Sequence, residues 1–115
     1  MKIIIAGSRG FNDYETLCKV CDHMLSKQKK IEIVSGTAGG ADRLGELYAK
    51  ENKYLLKQFP ADWGKLGKKA GYVRNEKMAE YADALIAFWD GESKGTKHMI
   101  DLAKKHKLKV KIHIF

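Results

Sequence analysis

One proline and two cysteines are all that 115 residues contain of these types, and no apolar run nears the roughly 18 residues needed to span a bilayer. So few cysteines exclude a disulfide framework. Cys18 and Cys21 form a C-x-x-C, in principle a redox pair or half of a zinc site. They fall at i and i+3 of the first predicted helix, on the stripe of Tyr14, Leu17, Met24 and Leu25. No second cysteine pair completes a tetrahedral set, so they read as small core hydrophobes and no metal is expected. The N-terminus runs straight into an apolar segment without the zones of a signal peptide, which predicts a cytoplasmic protein with no membrane partner. Neither G-x-G-x-x-G nor G-x-x-x-x-G-K-[ST] occurs, which argues against a nicotinamide dehydrogenase and an ATPase. No Ser-His-Asp or Cys-His arrangement is legible. His23, His106 and His113 are scattered, and His98, one turn into the last predicted helix, has no grouped partners for a metal. No cofactor is expected.

What the chain does have is positive charge, +8 net, and an ordinary globular share of apolar residues at 44%, enough for a core in one domain spanning 1–115. Lys27, Lys29 and Lys30, then Lys65, Lys68 and Lys69, then Lys104, Lys105, Lys107, Lys109 and Lys111 form three clusters. Helix-end lysines complement the dipole and a dispersed basic surface is usually solvated, yet the balance favours an anionic small molecule or nucleic acid over a cationic partner.

The chain is organised around its opening. Lys2-Ile3-Ile4-Ile5-Ala6 is a short buried-strand pattern that empties into Gly7-Ser8-Arg9-Gly10-Phe11-Asn12-Asp13. Asn12 followed by Glu15 reads as a helix N-cap with its capping-box partner. Gly7 to Phe11 then lies between a strand's carboxyl end and a helix's amino end, where backbone N–H groups, a helix dipole and Arg9 suit an anion.

Helical spacing continues through Leu25. Ile31 to Val34 is a second strand, ending in the glycine loop Ser35-Gly36-Thr37-Ala38-Gly39-Gly40-Ala41-Asp42 before a second helix bearing Leu44, Leu47 and Tyr48. Tyr54 to Phe59 is a third strand, ended by Pro60. Ala61 to Gly71 has no period and reads as a surface loop. A helix over 72–81 carries Arg74 and Met78, and Ala84 to Trp89 is a fourth strand. A third glycine loop, Asp90 to Thr96, leads to a helix over 97–106, and Val110, Ile112 and Ile114 alternate with polar residues as in an edge strand. Right-handed crossovers then predict a Rossmann-like α/β three-layer sandwich: a five-stranded, mostly parallel sheet of order 3-2-1-4-5 with helices on both faces. The switch point lies between strands one and four, and all three glycine loops fall on that edge.

Gly36 to Asp42 opens a helix and suits a phosphate through its N–H groups and the Thr37 hydroxyl; Ser93, Gly95 and Thr96 offer the same. Asp42 is either a first-turn dipole partner or a base. Arg74, placed at a helix start where positive charge is unfavourable, is either a solvated arginine or an anion ligand. Trp89 and Trp63 are either core residues or platforms for a base. The candidate ligand-binding set is Gly7, Ser8, Arg9, Gly10, Phe11, Ser35, Gly36, Thr37, Gly39, Gly40, Ala41, Asp42, Arg74, Trp89, Ser93, Lys94, Gly95 and Thr96.

The strings Ile5-Ala6-Gly7-Ser8-Arg9-Gly10-Phe11, Val34-Ser35-Gly36 with Gly39-Gly40-Ala41-Asp42, Phe59-Pro60-Ala61-Asp62-Trp63, Arg74-Asn75-x-x-Met78 and Ala84 to Gly91 with Gly95-Thr96 run through nearly the whole chain. In that order they resemble the YspA-like branch of the SLOG superfamily, Rossmann-like domains of bacteria and their phages related to the LOG phosphoribohydrolases and to DprA-like DNA-binding proteins. The resemblance implies a nucleotide or nucleotide-derived ligand, mononucleotide or ADP-ribose-like, in nucleotide signalling or phage–host conflict, and a homodimer or higher homo-oligomer. LOG enzymes cleave a nucleotide's N-glycosidic bond with an arginine of an R-x-x-x-M helix and a glutamate of a P-G-G-x-G-T-x-x-E segment. Arg74 and Met78 match the first, Gly95-Thr96 match part of the second, and Met99 stands at the glutamate's position. Catalytic candidates for a hydrolase are therefore Arg74 with Asp90 or Glu92, the acids needing to fold over the ribose. Nucleic-acid binding through the lysine-rich surface is the remaining alternative.

Overall fold

The computed structural model describes residues 1–115. Its strands are β1 (Lys2–Gly7), β2 (Glu32–Ser35), β3 (Leu55–Gln58), β4 (Ala84–Trp89) and β5 (Lys109–Ile114). The helices are α1 (Tyr14–Leu25), α2 (Ala41–Glu51), the short α3 (Trp63–Leu66), α4 (Ala70–Tyr81) and α5 (Lys94–Lys105), with a 3-10 turn over Gly67–Lys69. The sheet order is β3-β2-β1-β4-β5 and every pairing is parallel, as expected for strands joined by helical crossovers.

The alternation of β1 decides the layers. Ile3 and Ile5 point to one face, where they meet Leu17 and Cys21 of α1 and Tyr48 and Ala49 of α2; Ile4 and Ala6 point to the other, against Met78 of α4 and Met99 and Ile100 of α5. All three β1 isoleucines are fully buried. At about 1.5–3 kcal/mol for each such side chain, this strand is a main anchor of both cores. Cys21 is buried among them and Cys18 packs at their margin, both as free thiols. β5 is an edge strand in which Val110 and Ile112 are half-buried between exposed Lys109 and Lys111. No helix is long and apolar enough to cross a membrane.

Four local expectations are corrected. The N-cap of α1 is Asp13, not Asn12: its Oδ1 accepts the Thr16 N–H at 3.1 Å and its Oδ2 the Thr16 hydroxyl at 2.6 Å. Glu15, expected as the capping-box partner, instead pairs with Lys19 at 3.2 Å. The stretch from Ala61 to Gly71 is helical rather than loop, because Asp62 caps α3 by accepting the Lys65 N–H at 3.1 Å and the 3-10 turn leads directly into α4. As α4 starts at Ala70, Arg74 lies in its second turn, away from the unfavourable helix start. α5 begins at Lys94, so Lys94, Gly95 and Thr96 form its first turn rather than a preceding loop.

The site depends on how closely β1 meets β4. A Cβ on Gly7 would drive into the Phe88 carbonyl oxygen and lie 2.8 Å from the Ala41 Cβ, and both obstacles belong to rigid elements. Gly10 has open space around it. Gly7→Ala is expected to cost about 1–3 kcal/mol, the range for overpacking, with Gly10→Ala near zero. Thermal melts of the two variants check this; equal melting temperatures would mean the seam opens freely.

Candidate functional site

At the carboxyl end of the sheet, at the switch point between β1 and β4, a cavity of about 520 Å³ opens between the first glycine loop, α4 and the amino end of α5. Its size falls within the range of small-ligand pockets. Ser8 is the fixed point of its floor. The Ser8 N–H donates to the Phe88 carbonyl at 2.9 Å, and its own carbonyl accepts the Ala41 N–H at 3.4 Å. Its hydroxyl accepts the Asp90 N–H at 3.2 Å and shares a hydrogen bond with the Ser93 hydroxyl at 3.0 Å. The side chain is buried, so Ser8 positions the loop by tying β1 to β4, α2 and α5.

Arg9, Lys68, Arg74 and Lys94 bring positive charge to the walls, and the one carboxylate among the lining residues is Asp42. The first three backbone N–H groups of α5, those of Lys94, Gly95 and Thr96, have no partner within the protein, and the Ser93 side chain does not cap them. Ser93 Oγ is held instead by Asp90 Oδ2 at 2.9 Å. An uncapped helix start carries about half a positive charge, and this one adjoins Arg9 and Arg74. Arg74 is itself fixed: its Nη1 donates to the Gly36 carbonyl and its Nε to Asn75 Oδ1 at 2.9 Å. Burial depresses its pKa, an effect opposed by the Asp42 charge and reinforced by that of Arg9. A Cβ on Gly36 would stand 2.7 Å from Arg74 Nη1 and 2.9 Å from Asp42 Oδ2, so glycine here lets both groups approach the loop.

Asp42 is buried and accepts the Ala38 N–H at 3.1 Å. Burial pushes its pKa up to about 6 despite that hydrogen bond and the Arg74 charge. Asp90 is the reverse: its Oδ1 accepts the N–H groups of Glu92 at 2.9 Å and Ser93 at 2.8 Å, and these bonds hold its pKa down at about 2.

Of the expected ligand-binding residues, Gly7, Ser8, Arg9, Gly10, Asp42, Arg74, Ser93, Lys94, Gly95 and Thr96 line the cavity. The others stand behind it. Phe11 is buried in a stack on Phe88 at 4.7 Å. The Ser35 hydroxyl donates to Glu46 at 2.7 Å and accepts the Thr37 N–H at 3.1 Å. Ala41 is buried beneath Gly7, and a Cβ on Gly40, where φ is 65°, would strike the Ser8 and Arg9 carbonyls. Of the second glycine loop Ala38 and Asp42 reach the wall, and Gly36, Thr37, Gly39 and Gly40 do not. That loop braces the first one rather than forming a second cradle. Trp89 is half-buried: it packs against the α4–α5 apolar cluster and its Nε1 donates to the Ser93 carbonyl at 3.1 Å. Asp90 and Glu92 also lie outside the cavity, so the loop does not fold either acid over it.

The walls missed from the sequence are Lys68, Gly71, Tyr72 and Asn75, together with the apolar floor of Met78 and Met99. Trp63, weighed as a base platform, does line the cavity, packed over Gly71 of α4; Trp63 and Tyr72 keep 52% and 49% of their surfaces exposed, which leaves ring area available to a ligand. The signal for α3 was the Asp62 cap, too short a helix to leave a hydrophobic period.

The fold and cavity define a Rossmann-like α/β domain that presents a cationic pocket at its topological switch point. The chain belongs to the YspA, cpYpsA-related SLOG family (YAcAr), whose family model matches residues 1–65. It is 33% identical over 111 residues to the Gene 61 protein of Mycobacterium phage D29, covering 90% of this chain and 89% of that protein. Among solved structures it resembles DNA processing protein A from Helicobacter pylori, described for its single-stranded DNA binding mode, with a TM-score of 0.71 and 19% identity. The match covers 97% of this chain, which spans 64% of that one.

A carboxyl group whose pKa is raised on folding keeps a proton that the unfolded chain has already released. Between its unfolded value near 3.8 and about 6, rising pH therefore removes stability through Asp42. The loss amounts to about 3 kcal/mol across the window. The difference in unfolding free energy between wild type and Asp42→Asn, from urea melts at pH 4 and pH 7, should shrink by that order as pH rises. A pH-independent difference would mean that water reaches the carboxylate.

Proposed function

We propose that the protein binds a nucleotide or nucleotide-derived ligand, a mononucleotide or ADP-ribose-like compound, in the cavity at the switch point. The carrying observation is the uncapped amino end of α5, with three unpartnered N–H groups beside Arg9 and Arg74. Such an end receives phosphate oxygens without rearrangement. Arg9, exposed and without an acidic partner, would add a mobile charge-assisted contact. Trp63 and Tyr72 at the rim would cover the base, and Thr96 and Ser93 would face the sugar. Membership of the SLOG family supports this reading.

A second reading, hydrolysis of the N-glycosidic bond, draws on one feature. Asp42 is the carboxyl group on the wall, and its pKa of about 6 lies near the range useful for proton transfer. Asp90 and Glu92 give that reading no support, the first being bound into its own turn. Binding of single-stranded nucleic acid, as described for the Helicobacter pylori neighbour, draws on the fold likeness and the +8 charge.

Melting curves against mononucleotides, ADP-ribose, NAD and a short single-stranded oligonucleotide separate the three. A ligand at about 100 times its dissociation constant adds roughly 2.7 kcal/mol of stability. Arg9→Ala should weaken a small nucleotide by about 1.5–3 kcal/mol, the worth of a hydrogen bond to a charged group. Release of free base, abolished in Asp42→Asn, would establish hydrolysis. A shift with the oligonucleotide alone, steeply salt-dependent and indifferent to Arg9, would overturn the pocket reading.

A further inference from the structure

Asn75 is 5% exposed, sits between α4 and α5, and makes three hydrogen bonds whose directions can be worked out. Its Oδ1 is 2.9 Å from Arg74 Nε, which can only donate. The amide nitrogen therefore faces the other way, toward the Gly95 carbonyl at 3.3 Å, which can only accept, and toward His98 Nδ1 at 3.1 Å. Both of its hydrogens are thereby used. His98 Nδ1 must be an acceptor, so the imidazole is neutral with its proton on Nε2.

We infer that Asn75 is a positioning residue that holds the Arg74 guanidinium in register with the uncapped amino end of α5, and that it can do so only while His98 is neutral. Neither α4 nor α5 alone sets that register. Arg74 is tied to the second glycine loop at Gly36 and Gly95 belongs to α5, so the Asn75 amide is the direct link between the two halves of the cationic wall. Protonation of His98 would set an N–H against the amide N–H₂ and break the link from the α5 side. The groups facing the imidazole are Tyr72, whose ring meets it edge-on at 4.5 Å, Glu76 from α4 and Asp101 from α5. The two carboxylates favour the charged form, but burial outweighs them and keeps the ring neutral below the usual histidine range. Glu76 is also engaged by His106 at 3.1 Å and Asp101 by Lys97 at 2.9 Å.

The consequence has an unexpected sign. A histidine near an anion site ordinarily strengthens binding when it gains a proton; here protonation of His98 should weaken it. This rests on the cavity being an anion site, as proposed above, whereas the network itself can be read without a ligand. In NMR spectra of the free protein, the Arg74 Nε–H should be a slowly exchanging resonance at neutral pH. It should fade as His98 titrates and be lost in Asn75→Ala. The imidazole nitrogen shifts should report the Nε2–H tautomer. His98→Asn puts an acceptor at the Nδ1 position without a titrating proton, so the Arg74 signal should persist there to lower pH. Sulfate, whose charge is constant over the range, serves as the anion probe, read at the Gly95 and Thr96 amides. Asp42 on the same wall loses its negative charge below about pH 6 and would by itself strengthen anion binding, so the titration is made in Asp42→Asn, where affinity should fall on acidification, stay level when His98→Asn is added and drop roughly two- to ten-fold when Asn75→Ala is added, the worth of one hydrogen bond.

An Nδ1–H tautomer, an Arg74 signal indifferent to Asn75, or sulfate binding that strengthens on acidification in Asp42→Asn would overturn the inference. If Asn75→Ala does not fold, the tautomer and the His98→Asn titration still decide it. Sulfate that moves neither amide would remove the anion site, while the Arg74 and His98 resonances would decide the network.

Discussion

The seam between Gly7 and the Phe88 carbonyl is the constraint on which the rest of the site depends. The Ser8 N–H closes on that carbonyl, the Ser8 carbonyl takes the first N–H of α2, and its hydroxyl joins the turn before α5. Four segments thus converge on one small residue, and each bond requires the preceding position to be without a Cβ. Because Phe88 is sandwiched between Phe11 and the core, the carbonyl it presents cannot drift. The amino end of α5 is consequently tied to β1 through the Ser8 hydroxyl, which meets the Asp90 N–H and the Ser93 hydroxyl in the free protein. That preorganisation lowers the entropic cost of binding.

Onto this rigid floor the chain sets charges that do not cancel. Asp42 and Arg74 both approach Gly36, yet their side chains are not within ion-pair distance of each other. Each is instead held by the backbone: Asp42 by the Ala38 N–H, Arg74 by the Gly36 carbonyl. A direct pair would neutralise the guanidinium. Holding the two apart on the same loop leaves the arginine's outer face available, although each still feels the other's charge. The wall therefore carries four cationic side chains, Arg9, Lys68, Arg74 and Lys94, against one carboxyl group that is not paired with any of them.

Sheet order, the layers and the position of the site were legible because they follow from strand–helix alternation and glycine placement, which are properties of pattern. What was not legible depends on choices among near-equivalent local solutions. Asn12 and Asp13 are both good caps with a useful residue three positions on; the Thr16 hydroxyl, which adds a second bond to Asp13, tips the choice, and single-residue pattern matching does not weigh it. The segment from Ala61 to Gly71 is a four-residue helix and one 3-10 turn, shorter than any period that could announce it, and its misreading hid Lys68 and Tyr72 and moved Arg74 to a helix end. The second glycine loop looked like a cradle because composition cannot tell a glycine that faces a ligand from one that faces a carbonyl. Gly40 faces the carbonyls of Ser8 and Arg9. Trp89 ended a buried strand and stayed with the core, whereas Trp63, on the segment taken for a loop, is the tryptophan at the cavity.

Met99 brings these strands together. It stands where the resemblance to the LOG phosphoribohydrolases would place a glutamate, and it lines the cavity beside Met78, 2% exposed and packed into the α4–α5 core. A carboxylate buried there would need partners of its own, and the Asn75 amide and His98 Nδ1 are already engaged with each other, with Arg74 Nε and with the Gly95 carbonyl. The methionine and the closed network are therefore mutually consistent: with no acid to orient, the asparagine is free to join Arg74 to α5, and the floor is apolar under a cationic wall. Such a surface distinguishes ligands by where their negative charge lies relative to an apolar body.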